Sequence, residues 1–385
     1  MSNKRETYNS EPFGTPRKRA KRTFLGALFV IVLLAVTISF TVALVIAYLT
    51  PYVAPSTFGS LTIVGIFAPI LFTVVAVCML LWLVTGRWKT ALIVFIFLIP
   101  GLFRISDFYN IAFMREVETK PSRSDFTLMT YNVRGFYGDD GNYSTRGVAD
   151  YLDGLDNLDV VCFQEFDTAA SGVESIDSLM QARKLAHKYD VTESGNMVLR
   201  TYSRFPIIAS GDISGNNRGT SQWLDVVFSR GIERKADTLR IFNNHLHTMN
   251  IPTADRDDIA DGDILQDGDR MRSIVDRIAS NSSIRVDHVD TLDMVISATP
   301  YKHVVCGDFN DTPMSYVYGK LVEDHYDAFV EVGRGYGYTF RPMYGTLRID
   351  YVLHSEGISS LKYVADEKAE FSDHLPVIVT LKMDK

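Results

Sequence analysis

From Thr23 to Gly86 the chain carries no charged side chain at all. Within that stretch Phe24 to Leu49 is apolar over a length that crosses a hydrocarbon core of about 30 Å as a helix. A break with Pro51, Pro55 and Gly59 follows, then a second apolar run from Leu61 to Val84 and a shorter third from Trp88 to Phe103 that contains Pro100. A cleaved signal peptide has an apolar core of only about 7–15 residues before a small-residue cleavage site, so the first run is too long for one. Core helices of a soluble domain rarely go so far without a charge. The sequence therefore predicts about three transmembrane helices, near 24–49, 61–84 and 88–103.

The basic residues orient them. Lys4, Arg5, Arg17, Lys18, Arg19, Lys21 and Arg22 precede the first run, Arg87 and Lys89 lie between the second and third, and the 50–60 loop has none. The positive-inside rule places residues 1–22 and the Arg87 loop in the cytoplasm, and an odd number of spans carries the rest to the other side. The expected product is an integral membrane protein with the bilayer as a partner: a membrane region over 23–104, a linker over 105–124, and an extracytoplasmic (periplasmic or extracellular) domain over 125–385.

The two parts differ in charge. Residues 1–119 hold 11 Lys and Arg against 5 Asp and Glu, and subtracting these from the totals of 39 and 46 leaves 28 against 41, a net of −13, for the remainder. An acidic domain gains little from counterion release on a polyanion, so no stable binding to duplex DNA is expected. Cys78, Cys162 and Cys306 sit in apolar stretches and make neither a disulfide framework nor a zinc spacing.

After Phe126 short β-rich runs alternate with Gly, Asn, Asp and Pro clusters, which predicts a mixed-sheet α/β architecture. Strands are expected at Thr127–Tyr131, Val160–Phe163, Asn196–Thr201, Leu224–Phe228, Thr238–Asn243, Lys302–Cys306, Ile349–Leu353 and Val377–Leu381. Helices are expected at Thr145–Leu152, Ser175–Lys188 and Asp263–Ser297, the last divided near Asn281–Ser283. The Asp- and Gly-rich stretch 250–269 lacks the alternation and closing Glu of a calcium loop and reads as solvated.

Polar residues gather where apolar strands end. Asn132 follows Leu128–Tyr131, Gln164 and Glu165 follow Val160–Phe163, and Asn244 and His245 follow the Thr238–Asn243 run. Asp308 and Asn310 follow Val304–Gly307, and Asp373 and His374 precede the last strand, with Asp350 in the Arg348–Tyr351 segment. Singly, each is an ordinary cap or turn residue. Together they supply hard oxygen ligands for a divalent metal, a group to orient water, and donors for transition-state charge, which are the needs of phosphoester hydrolysis.

In this order the motifs resemble the endonuclease/exonuclease/phosphatase superfamily, over residues 125–385. The resemblance implies the four-layered α/β sandwich of pancreatic deoxyribonuclease, two packed mixed sheets flanked by helices. It implies Glu165 as the main ligand of Mg2+ (or Mn2+), completed by Asn132 and Asp373. It implies Asp308 and Asn310 orienting water and holding the phosphate, and His245 and His374, the latter paired with Asp350, in proton transfer or charge stabilisation. Asn196 is implied as the polar support of His245. His245 stands where abasic-site endonucleases carry another residue, so that subgroup is disfavoured, while deoxyribonucleases, inositol polyphosphate phosphatases, sphingomyelinases and poly(A) nucleases all stay open. The expected activity is a metal-dependent hydrolysis of a phosphodiester or phosphomonoester. The alternative is a catalytically inactive, membrane-tethered binding module on the same fold. Substrate and oligomeric state are not legible.

Overall fold

The computed structural model describes residues 24–111, 122, 124–138, 141–213, 219–228, 237–249, 252, 255 and 267–384. The basic residues before Thr23 and most of the 250–269 stretch lie outside these. Eleven α-helices are described: α1 (Phe24–Leu49), α2 (Pro55–Phe58), α3 (Leu61–Ile66), α4 (Ala68–Val84), α5 (Trp88–Phe103), α6 (Thr145–Asp153), α7 (Val173–Ala182), α8 (Gly268–Ser297), α9 (Tyr316–Val322), α10 (Ala328–Val332) and α11 (Pro342–Gly345). The strands are β1 (Tyr109–Asn110), β2 (Asp125–Asn132), β3 (Val160–Asp167), β4 (His187–Ser194), β5 (Met197–Ser203), β6 (Ile207–Asp212), β7 (Gly219–Phe228), β8 (Asp237–Leu246), β9 (Lys302–Asp308), β10 (Tyr326–Asp327), β11 (Gly335–Tyr336), β12 (Asp350–His354), β13 (Ile358–Ala365) and β14 (Val377–Met383).

Two six-stranded mixed sheets face each other, in the orders β13-β14-β2-β3-β5-β4 and β10-β12-β9-β8-β7-β6. Each holds one parallel pair at its centre, β2 with β3 and β8 with β9, among antiparallel neighbours. Alternation along the strands sends one set of side chains, among them Leu128, Val160, Ile241 and Val304, into a shared core between the sheets, where Cys162 and Cys306 are also buried. The other set, with Met129 and Phe163 on one sheet and Phe242 and Val305 on the other, is covered by α6 and α7 and by α8 and α9 respectively. The four layers match the expected sandwich.

Three expectations change. Among the described residues only α1, 26 residues long, has the length and hydropathy to cross a membrane, not three helices. Pro69, which has no N–H to donate, separates α3 from α4 within the second run, leaving α4 with 17 residues, and α5 has 16. At about 1.5 Å per residue these reach roughly 25 Å, short of a hydrocarbon core. Both pack on α1 through Leu44, Val75, Trp82, Val94 and Leu98. The second change is that α8 runs unbroken through Asn281 and Ser283, because their polar groups find acceptors: Asn281 donates to the Met249 carbonyl (2.8 Å) and Ser283 to those of Ala279 and Pro55 (3.1 Å each). Third, α7 ends at Ala182 and its expected tail is β4, paired antiparallel with β5.

The described part of the expected linker is docked. Asp107 offers its carbonyl to the buried Arg348 (3.1 Å), Asn110 donates to the Phe329 carbonyl (2.7 Å), and β1 pairs with β11. The same end of the bundle is held at two more points: Thr50 donates to the Met314 carbonyl (2.6 Å) and Arg104 to that of Pro313 (3.0 Å).

Candidate active site

The central parallel strands end at one rim. Asn132 closes β2, Glu165 lies near the end of β3, His245 near the end of β8, and Asp308 closes β9. The antiparallel neighbours start where these end, so Asp350, first in β12, lies opposite Asp308, and His374 lies three residues before β14, which pairs with β2. Carboxyl ends of parallel strands are where an α/β crevice opens. Tight packing at this rim requires glycine at 307: its φ is +129°, and a Cβ there would collide with the Asn244 backbone.

Glu165 reaches the rim through a bulge. Pairing of β3 with β5 shifts register between Phe163 and Phe166, and Glu165 adopts φ +50°. Gln164 turns inward to Thr130 Oγ1 (2.9 Å) and Asn243 Oδ1 (2.6 Å), while Glu165 turns outward. Asn310 and Arg134 also hold positive φ, 50° and 51°, so unusual backbone gathers around this site.

Asn132 donates through Nδ2 to Glu165 Oε1 (3.1 Å) and Asp308 Oδ2 (3.0 Å), and its oxygen accepts from the Arg134 N–H (3.0 Å). It therefore presents its amide NH2, not the ligand oxygen expected from sequence, to the two carboxylates. Asp308 Oδ1 accepts from the Asn310 backbone N–H (2.8 Å) and Oδ2 from the Asn310 side chain (3.2 Å), which also donates to the Leu246 carbonyl (3.0 Å). His374 Nδ1 meets both oxygens of Asp350 at 2.9 and 3.2 Å, and its Nε2 faces Asp308 Oδ2 at 3.7 Å. Asp373 lies 4.0 Å from Arg134 and within 3.5 Å of Ser372 Oγ. Among the His, Cys, Asp and Glu side chains of the described residues, those whose ligand atoms gather within 4.8 Å of one another are Asp308, Asp350 and His374.

Against His245 stands Glu193, not Asn196. Glu193 Oε1 is 2.6 Å from His245 Nδ1, and its other oxygen accepts from the Glu165 N–H at 3.0 Å, so one side chain fixes both the imidazole and the bulge. Asn196 is exposed in the β4–β5 turn, where its carbonyl accepts from Thr168. The sequence predicts no strand over 187–194, so nothing in it marks Glu193 of β4.

Burial opposes charging of both imidazoles, but their carboxylates outweigh it: Glu193 first for His245, Asp350 first for His374, each pushed up to about 10. Burial and then the Asp350 charge raise Asp308, against the pull of His374 and His245, to about 6. His245 Nε2 is buried without a hydrogen bond, 3.6 Å from Glu165 Oε1 and 3.9 Å from Asp308 Oδ2. Glu165 and Asp308 each turn an oxygen toward the gap between the two Nε2 atoms, hard donors that fit a divalent cation, while Glu193 and Asp350 sit behind the imidazoles. The Glu165 side chain is 35% exposed, which leaves the gap open to solvent.

The family model described as Endonuclease/Exonuclease/phosphatase family matches residues 129–374. The chain belongs to that family. Its members are phosphoester hydrolases, and the rim residues of this endonuclease/exonuclease/phosphatase chain all fall inside the matched span. Residues 27–108 match a second model, described as a domain of unknown function (DUF8431). Among solved structures, the chain is similar to an endonuclease/exonuclease/phosphatase from Beutenbergia cavernae (16% identity, TM-score 0.48, covering 68% of this chain and 72% of that one). It is also similar to the human Nocturnin catalytic domain with bound sulfate anion (15%, 0.46, 68% and 96%). A third is a mannosyl-6-phosphatase from Bacteroides thetaiotaomicron (18%, 0.41, 66% and 99%). No curated protein matches the chain.

Proposed function

We propose that this family member is a membrane-anchored, Mg2+- or Mn2+-dependent phosphoesterase that hydrolyses a phosphodiester or phosphomonoester presented at the outer face of a membrane. What carries the reading is the convergence of Glu165, His245, Asp308 and His374 on one solvent-open gap. Glu165 and Asp308 hold the cation, with Asn132 bracing both. When bound, the cation neutralises charge on the phosphoryl oxygens and leaving group. Asp308 and Asn310 orient a water in line with the ester bond, and the Asp308 carboxylate takes its proton. As the new P–O bond forms and the ester P–O bond breaks, His374 and His245 donate hydrogen bonds to the phosphoryl oxygens, and one of them protonates the departing oxygen.

The preference for a substrate at the membrane rests on packing. Ile63 and Ile66 of α3 join Phe340, Leu347 and Ile349 in one apolar cluster, and the Phe340 ring stands 5.0 Å from that of His374. The apolar helical region thus borders the wall of the site, and the acidic domain disfavours duplex DNA. Purified full chain should show divalent-dependent turnover of bis-p-nitrophenyl phosphate and act on sphingomyelin or phosphoinositide vesicles in preference to DNA and RNA. No turnover of any of these by folded protein would replace the enzyme with the binding-module reading.

The domain is proposed to be extracytoplasmic. The C-terminal ends of α1 and α5 both rest on it, through Thr50 and Arg104, while Arg87 and Lys89 stand at the far end of α5. Whether α1 crosses alone or with its two shorter partners, the number of crossings is odd. Alkaline phosphatase fused after Lys385 should be active; an inactive fusion together with a fluorescent cytoplasmic reporter at the same position would place the domain inside.

A further inference from the structure

At the opposite end of β9 from the catalytic rim, two imidazoles meet nose to nose. His303 Nε2 and His325 Nε2 are 2.9 Å apart. His303 Nδ1 lies 2.9 Å from the Tyr301 carbonyl and His325 Nδ1 2.6 Å from the Leu321 carbonyl. A carbonyl can only accept, so each Nδ1 carries its ring's proton and each neutral ring is left with a bare lone pair on Nε2. Two acceptors at hydrogen-bond distance repel unless a cation stands between them. We propose that His303 and His325 form a binding site for a borderline transition cation, zinc above all, with the two Nε2 atoms as its protein ligands.

A proton is the competing cation, and the surroundings work against it. Burial holds both rings below the usual imidazole range, His325 at about 4; Arg240 further opposes a proton on His303, and the two rings oppose charging of one another. Arg240 is itself held by Asp225 through two contacts of 2.6 and 2.7 Å. Asp324 and Asp293 place negative charge near His325, and Asp293 is also paired with Lys320 at 3.2 Å. The Nδ1–H to carbonyl bond is the outer-shell arrangement that orients metal-bound imidazoles. Two nitrogens at zinc's usual ~2.0–2.1 Å in a tetrahedral site stand roughly 3.3 Å apart, so from their present 2.9 Å the rings, whose centroids are 5.1 Å apart, need part by about 0.4 Å and tilt until each lone pair lies about 35° off the line between the nitrogens. His303 is half-buried, which leaves room for water to complete the shell.

His303 and Asp308 are the second and last residues of β9, about 16 Å apart at ~3.3 Å per residue, so the two sites titrate separately. The test is Zn2+ binding to the full chain in excess Mg2+, read by competition with a chromogenic chelator. Wild type and Glu165→Gln should both bind one tight Zn2+. His303→Asn and His325→Asn should each bind it at least about tenfold more weakly, since loss of even an outer-shell partner costs about 10–100-fold, while Mg2+-dependent activity is unchanged. Zinc affinity equal to wild type in His303→Asn overturns the site, as does zinc lost in Glu165→Gln but kept in both histidine variants. If His325→Asn does not fold, His303→Asn decides alone, because that ring is half-buried.

Discussion

Replacing Glu165 with Gln is expected to reduce divalent-dependent turnover of bis-p-nitrophenyl phosphate by more than about 100-fold. Gln keeps the size of the side chain and the oxygen that accepts from Asn132 Nδ2, but not the charge. Changes in groups that merely orient metal ligands cost about 10–100-fold in affinity or activity, and a lost ligand exceeds that. Folding should be almost unaffected: the side chain is 35% exposed, its backbone N–H still reaches Glu193, and one carboxylate fewer beside Asp308 relieves repulsion. Thermal unfolding would then stay close to wild type while activity disappears. Near-normal turnover at saturating Mg2+ would remove Glu165 from the metal site and shift attention to the Asp308, Asp350 and His374 group.

The rim was readable in the sequence for a physical reason. In the parallel pairs β2–β3 and β8–β9 each strand ends at the same edge, so a polar residue directly after an apolar run marks that edge without knowledge of the pairing. Asn132, Glu165, His245 and Asp308 all carry that mark. Glu193 does not. It lies inside the exposed edge strand β4, and its meeting with His245 depends on a register shift between Thr192 and Ser194 and on the packing of one sheet against the other. Asn196, at a turn three residues later, looks similar in sequence and points elsewhere. The orientation of Asn132 was equally out of reach, because the Arg134 N–H that claims its oxygen comes from a local turn with positive φ. The helical region shows the same limit: charge-free composition marks apolar helices, but Pro69 decides where the second run divides, and helix length decides which one can cross a bilayer.

The His374–Asp350 pair should behave as one catalytic unit. Both side chains are buried, 7% and 1% exposed, and Asp350 holds Nδ1 with both oxygens while its own N–H is fixed by Thr339 Oγ1 at 3.0 Å. That leaves Nε2 aimed at the gap beside Asp308, with Phe340 edge-on to the ring. A structural histidine in such a place would affect stability when removed, whereas a group that bonds the phosphoryl oxygens would affect kcat. His374→Ala is expected to lower kcat by about 10²–10⁴-fold with a small change in KM, the range for a lost acid–base group. Asp350→Asn should approach the same loss, because the amide can turn its NH2 to Nδ1 and leave the proton on Nε2 unsupported by negative charge. The ring would then lack the charge that strengthens its hydrogen bond to the transition state. Since both changes act through one imidazole, the double variant should be hardly slower than His374→Ala, with the two losses far from multiplicative. Independent, multiplicative losses would show that Asp350 acts apart from the ring, and a kcat for His374→Ala equal to wild type in folded protein would take the imidazole out of the reaction.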